Sequence, residues 1–343
     1  MNDNKNELSR KVEERRMERV VAFKNGDLDA YERLEPPLLD QGTSNNYIFC
    51  DDLDAVPKDD IGSMEYPMFS LSKNQDHTIR EYTYNGRTVT IVPGGYGLAT
   101  IWDKDILIYC TSQLIAAQER GQPISRTLWI RGNDLLKSIM RRTDGRNCAN
   151  IKAALNRLSG TRITTDITTN GKRTHAGFGL IDRWEMVTAV GDENRTIAIE
   201  VVISEWLYNA ILSNEVLSLP KAYFLLTKAH ERRLYELARK HCGKQASWQI
   251  SLTKLHTKTG STCTLKEFRR KIKAIAEENP LPDYKLVYQP ESDMVRFYSR
   301  KAKGTLKEVH DILDHPRRKK PGQSTNQSAR RSGSAVILDH PRK

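Results

Sequence analysis

Apolar positions along this chain change period several times, and the order of those changes occurs twice. Ile106, Ile108, Tyr109, Leu114 and Ile115 fall at helical spacing and predict a helix over 103–121, stopped by Gly121 and the Gln122-Pro123 break. A short apolar strand follows at 127–130, then helices at 133–142 and 147–158, then polar strands from Arg162 onward. The second pass begins with a helix over 223–242, whose apolar face is Leu225, Leu226, Leu234, Tyr235, Leu237 and Ala238. It continues with a strand at 248–251, helices at 252–259 and 264–278, and a hairpin across 284–298. Helix–turn–helix followed by a β hairpin is the layout of a winged helix, which places one helix in the DNA major groove. The pattern therefore predicts an α+β fold of two tandem winged-helix domains, with a flexible N-terminal arm and a basic C-terminal tail.

Local signals set the boundaries. Asn133 and Asn147 are N-cap candidates for two helices of the first pass, and Asp144-Gly145 makes the turn between them. Thr264 and Glu267 fit a capping box that opens the last helix of the second pass, Gly243 stands where a C-cap belongs, and Pro280 and Pro282 end the helical run. Alternation at Tyr82, Tyr84, Val89 and Ile91 around Asn85-Gly86 reads as a hairpin added ahead of the first pass. These signals divide the chain into a mobile arm at 1–45, a first winged-helix domain with β additions at 46–215, a second at 216–300 and a disordered basic tail at 301–343. Within the tail, Ile312–Arg317 recurs as Ile337–Arg342, which reads equally as a short binding motif or a duplicated stretch.

Charge then separates the two passes. The net charge is +12 over 343 residues, so polyanions are the expected partners. Residues 221–299 hold 16 basic and 8 acidic side chains, while residues 1–60 are net acidic, so the excess sits on the second pass and the tail. In the helix 264–278, Leu265, Phe268, Ile272 and Ile275 must face the core. That leaves Lys266, Arg270 and Lys273 pointing outward, flanked by Arg269 and Lys271. Such a face reads DNA: Arg pairs bidentately with guanine, and Lys and hairpin residues hold phosphates. Lys254, Lys258 and Arg296 complete the set expected on the second domain. On the first domain the expected set is Lys152 and Asn156 between small alanines, with Arg146 and Arg157 beside them and Lys172 and Arg173 at the tip of a wing turned by Asn170-Gly171.

Enzyme signatures are sparse. The chain has no Gly-x-x-x-x-Gly-Lys-Ser/Thr loop and no His-x-His pair. The neighbours His241 and Cys242 read as packing and solvent residues, and Asp51-Asp52-x-Asp54 reads as an acidic surface loop. Five scattered cysteines without a Cys-x-x-Cys pair argue against a disulfide framework or a zinc site and for a reducing cytoplasm. Met1–Arg19 is charged throughout, unlike a signal peptide, and no apolar stretch approaches the ~18–20 residues of a membrane span. The expectation is a cytoplasmic DNA-binding protein with no enzymatic activity, cofactor or membrane contact.

Several long strings carry a resemblance. Gly97–Tyr109 (Gly-Leu-Ala-Thr-Ile-Trp-Asp-Lys-Asp-Ile-Leu-Ile-Tyr), Gly177–Asp182, Glu231–Gly243 and Glu267–Arg270 resemble the plasmid replication initiator protein A family over about residues 47–300. The resemblance implies a tandem winged-helix initiator that binds repeated origin sequences (iterons), helps to open an adjacent A+T-rich segment and meets the host replication initiator and replicative helicase. It further implies a homodimer through the first domain. A winged-helix repressor without replication activity is the alternative, and a nicking or primase-type enzyme the third.

Overall fold

The protein is described by a computed structural model covering residues 18, 21–22, 25, 30, 47–84, 87–169, 172–189 and 192–314. The chain runs through β1 (Ile48–Cys50), β2 (Lys58–Asp60), α1 (Ile61–Glu65), β3 (Arg80–Tyr84) and β4 (Arg87–Val92). The first helical set is α2 (Lys104–Glu119), β5 (Thr127–Arg131), α3 (Gly132–Ser138) and α4 (Gly145–Gly160). Four strands follow: β6 (Arg162–Thr169), β7 (Lys172–Gly179), β8 (Ile181–Ala189) and β9 (Asp192–Ile203). Then come α5 (Glu205–Leu212), β10 (Val216–Ser218) and a 3₁₀ turn at Lys221–Leu225. The second set is α6 (Ala229–His241), β11 (Ser247–Ser251), α7 (Leu252–Thr259), α8 (Leu265–Glu278), β12 (Tyr284–Gln289) and β13 (Met294–Ser299), with α9 (Ala302–Asp314) behind it.

The two halves share a strand order. In the second half, β11 and β12 both pair antiparallel with β13, so the last strand lies in the middle. In the first half, β5 and β8 both pair antiparallel with β9, and β1 adds a parallel strand outside β5. A separate antiparallel sheet, ordered β3-β4-β6-β7, belongs to the first half alone, its β6–β7 hairpin falling between α4 and β8 in the chain. The correction this brings concerns Lys172 and Arg173. Their hairpin, β6–β7, joins the β3–β4 pair and not β5. The strand that returns to β5 is β9, with β8 on its far side. A strand pair following a helix carries no sequence mark of which older strand it will meet, so the sequence could not show that this hairpin pairs with β4. The side chains of Lys172 and Arg173, and the Asn170-Gly171 turn, lie outside the described residues, as does the Asn85-Gly86 turn.

Other boundaries moved for identifiable reasons. The helix expected over 223–242 is two elements, because Leu226 is extended (φ −67°, ψ 111°) between the 3₁₀ turn and α6. The Arg232 side chain supports the break, donating from Nε to the Leu226 carbonyl at 2.7 Å and from Nη2 to that of Phe224 at 3.1 Å. Asn147 does not cap α4. Asp144 does, its Oδ1 accepting from the Asn147 backbone N–H at 2.9 Å. Asn133 lies inside α3, whose N-cap is Arg131. The tail expected from residue 301 begins with α9, which packs on β13; residues 315–343 are outside the described set. Of the N-terminal arm, Ala22 is buried against Trp129 and Ala198.

One continuous apolar core runs through both halves, from Ile108 and Leu114 of α2 to Leu234 and Leu237 of α6 and on to Phe268 and Ile272 of α8. β10 returns to pair with β2, Val216 opposite Asp60, which ties the end of the first half to its beginning. Among the described residues, no helix is long and apolar enough to cross a membrane, and no group of three or more His, Cys, Asp and Glu side chains is placed to hold a metal ion.

Candidate nucleic-acid interface

α8 is fixed at both ends and along one side. The Thr264 hydroxyl accepts from the Glu267 N–H at 3.3 Å, and the Glu267 carboxylate accepts from the Thr264 N–H at 3.3 Å, a complete capping box. At the other end Asn279 takes the left-handed conformation (φ 47°), and its Oδ1 accepts from the Leu286 N–H at 2.7 Å, joining the helix end to β12. Phe268 and Ile272 are fully buried and Ile275 nearly so, with the Phe268 ring 4.8 Å from His256 of α7. Lys266, Arg270 and Lys273 are all exposed on the opposite side, at i, i+4 and i+7. No ion pair engages Lys266 or Arg270 among the described residues, and Lys273 Nζ lies 5.6 Å from the Tyr288 ring centre.

Their neighbour Arg269 serves the frame. Its guanidinium donates from Nε at 3.1 Å and from Nη2 at 2.9 Å to the two oxygens of Asp293, in the β12–β13 turn, and the Tyr288 hydroxyl donates to the same carboxylate at 2.6 Å. The Arg269 hydrogen bond, followed by that of Tyr288, holds the Asp293 carboxyl below the usual range. The fork locks the hairpin to α8, so a nucleic acid facing Lys266 and Arg270 would also face that hairpin. Lys254 is exposed near the start of α7. Lys258 is turned inward to Glu65, and Arg296 is paired with Asp311 and donates to Gln249 Oε1 at 3.0 Å. Both were expected on DNA; burial beside a carboxylate commits them to the fold.

The first half presents a thinner face. α4 buries Ile151, Ala154, Leu155 and Leu158 as its spacing requires. Lys152 and Arg146 are exposed and Asn156 is half-buried. Arg157, expected on the same face, forms a two-pronged pair with Asp103, 2.7 Å from Nε and 2.7 Å from Nη2. That hydrogen bonding raises its pKa further, and the pairing removes it from the set of free contacts. Arg142, whose side chain is 92% exposed, is a cation beside α4 that periodicity gave no reason to single out.

Behind both faces lies a buried charged joint. Lys104 of α2 is fully buried, its Nζ 2.7 Å from Asp59 and 3.1 Å from Glu236 of α6. Asp105 accepts from Arg232 of α6 at 2.6 Å and from Arg141 at 2.7 Å. Arg233 donates to Glu236 at 3.0 Å and to the carbonyls of Ser63 at 3.0 Å and Lys258 at 2.9 Å. Tyr223 donates to Glu236 at 2.8 Å. Burial would raise the Glu236 carboxyl, but Lys104 and Arg233 outweigh it and pull it down. Asp59, where burial wins, is pushed up to about 8. A second cluster gathers Lys240, Lys258 and His241 on Glu65. Burial raises that carboxyl, and the neighbouring His241, Lys240 and Lys258 carry it well below its ordinary value. His241 also stacks on Trp248 at 4.6 Å and Cys242 is buried. The sequence signal for the joint was charge inside apolar helical runs: Asp103-Lys104-Asp105 just before Ile106, and Arg232-Arg233 just before Leu234.

The chain is similar to known replication proteins. The family model described as replication initiator protein A matches residues 58–286. A curated protein of Wigglesworthia glossinidia brevipalpis, provisionally named a replication protein, is 38% identical over 245 residues, 71% of this chain and 89% of that protein. In fold, the chain is similar to the crystal structure of domains 2 and 3 of RctB, with a TM-score of 0.50 at 12% identity, covering 70% of this chain and 96% of that one.

Proposed function

The chain belongs to the replication initiator protein A family, and we propose that it starts plasmid replication by binding repeated duplex sequences through two winged-helix modules. The observation that carries this reading is the outward row of Lys266, Arg270 and Lys273 on α8. That helix is anchored on its far side, follows α7 at a turn and is keyed by Arg269 to the hairpin behind it. In this reading α8 and α4 are the two recognition helices, and β12–β13 and β8–β9 are the wings. Arg270 reads base edges, and Lys266, Lys273, Lys254, Lys152 and Arg146 hold phosphates. Two such readers enter major grooves about one turn, ~34–36 Å, apart.

Binding of several protomers to directly repeated sites strains the neighbouring A+T-rich duplex at its flexible steps, so opening draws on binding free energy and needs no catalysis or cofactor from this chain. The opened segment is where the host initiator and helicase are met; a homodimer form belongs to the same proposal. The test is transformation of a host with a vector that replicates only from the cloned gene and its flanking repeats. The chain is expected to yield transformants, and the triple variant Lys266→Ala/Arg270→Ala/Lys273→Ala none. Specific binding without transformants would make the protein a repressor instead.

A further inference from the structure

A path of direct contacts connects the two helices that face outward. Arg157 of α4 grips Asp103 just ahead of α2, at 2.7 Å. Two residues on, Asp105 of α2 accepts from Arg232 of α6 at 2.6 Å. Next to it, Arg233 of α6 donates to the Lys258 carbonyl at the end of α7, at 2.9 Å. Past that carbonyl stands Gly260, left-handed at φ +68°, in the short turn into α8. A Cβ built on Gly260 would lie 2.5 Å from Pro67 Cβ, so the turn itself rests against the first half. The Gly260 carbonyl also accepts from Arg80 at 3.4 Å. The middle of the path is shut off from solvent, Asp105 being 0% exposed and Arg232 3%, while Arg157 at its start is partly exposed.

Charged groups buried in such a joint contribute little net stability, because desolvation offsets most of their attraction. What they supply is geometry. Apolar contacts are non-directional and can be remade in another packing, whereas here any slide strands a buried charge. Among the described residues, Lys104 has only Asp59 and Glu236 within ion-pair distance, and Asp105 only Arg232 and Arg141. One relative orientation of the halves satisfies all of them.

We infer that the buried charged joint, centred on Lys104, Asp105, Arg232 and Glu236, acts as a rigid ruler that lets the protein bind only duplexes whose two contacted grooves lie at one fixed distance and helical phase. These are positioning residues: they touch no DNA, and they determine spacing where Arg270 and its neighbours determine affinity. The inference rests on the two-reader function proposed above, in that spacing matters only if both α4 and α8 contact DNA.

The test has two arms. In the first, distances between spin labels at Ser213→Cys and Thr305→Cys, in a Cys263→Ser background, are measured with and without the repeat. Both labelled positions are exposed and stand apart from the proposed DNA contacts. A single narrow distance unchanged by DNA is expected; a broad or DNA-shifted distribution overturns the ruler. In the second, binding is compared on the repeat and on the repeat with about 5 or about 10 bp inserted between the two grooves, half a turn and a full turn. The chain should lose at least tenfold on both, since even the full-turn insert moves the second groove by ~34 Å. Glu236→Gln and Arg232→Met should broaden the label distances and narrow the loss on the half-turn insert. Equal binding to all three duplexes overturns the ruler. Absence of specific binding to any duplex refutes the two-reader function, and the label distances still decide whether the joint is rigid.

Discussion

The two halves repeat one order of helices and strands and dispose of their arginines differently. On α8, Arg270 faces outward and Arg269 fastens the adjacent hairpin. On α4 the corresponding stretch offers Lys152 and Asn156 outward, while Arg157 is held by Asp103 at the root of the joint. The first half also carries the β3-β4-β6-β7 sheet, which the second lacks. A repeated architecture need not mean a repeated role. In the function proposed above, the second half holds DNA, and the first holds the second in place while adding a weaker contact.

The largest expected effect tests whether the halves are separable. Arg232→Met strands Asp105 with Arg141 alone and should cost about 3–5 kcal/mol, the range for breaking a buried pair. Because one core runs through both halves, urea unfolding should shift as a single transition. Two resolved transitions would mean that the halves fold independently and that the joint is an accessory. Gly260→Ala comes next. A left-handed backbone costs a Cβ-bearing residue roughly 1–2 kcal/mol, and the contact with Pro67 adds to it. The same denaturant curves give the number, and a loss below about 0.5 kcal/mol would show that the turn is not pressed against the first half.

Binding sharpens the contrast directly. Arg270→Ala should lower affinity by about 1–3 kcal/mol and relax sequence preference at one position. Lys152→Ala should cost less, act on all sequences alike and reduce the salt slope by about one. Equal losses, or a larger one from Lys152, would reverse the roles assigned to the halves.

The remaining test is a pH dependence. Asp59, near 8 in the folded protein, holds a proton that an unfolded carboxyl releases at about 3.9. Its contribution to stability is therefore complete below about pH 4 and declines as pH rises toward 8. Asp59→Asn should flatten that part of the stability curve. An unchanged slope between about pH 5 and pH 8 would assign it to other groups.

Much of α8 was legible because its signals are local and agree. A capping box, apolar residues at helical spacing and two prolines all constrain the same 14-residue helix, and its free cations follow by exclusion. Arg269, Arg296 and Lys258 were legible only as cations. Asp293, Asp311 and Glu65, which engage them, lie 24, 15 and 193 residues away in the chain, and spacing within a helix says nothing about partners at that distance. The pairing expected of the β6–β7 hairpin failed for a related reason. Adjacency in sequence favoured β6–β7, whereas pairing with β5 was decided by β9.

By itself the sequence determined the element order in each half, the buried side of each outward-facing helix and the concentration of positive charge in the second half. These depend on periods of a few residues and on composition, which a linear chain displays. The tertiary structure alone decided which cations remain free, which hairpin closes each sheet and how the halves are fixed to one another. Those outcomes depend on which charges meet when solvent is excluded, and burial makes a pairing worth keeping only after the chain has brought its distant parts together.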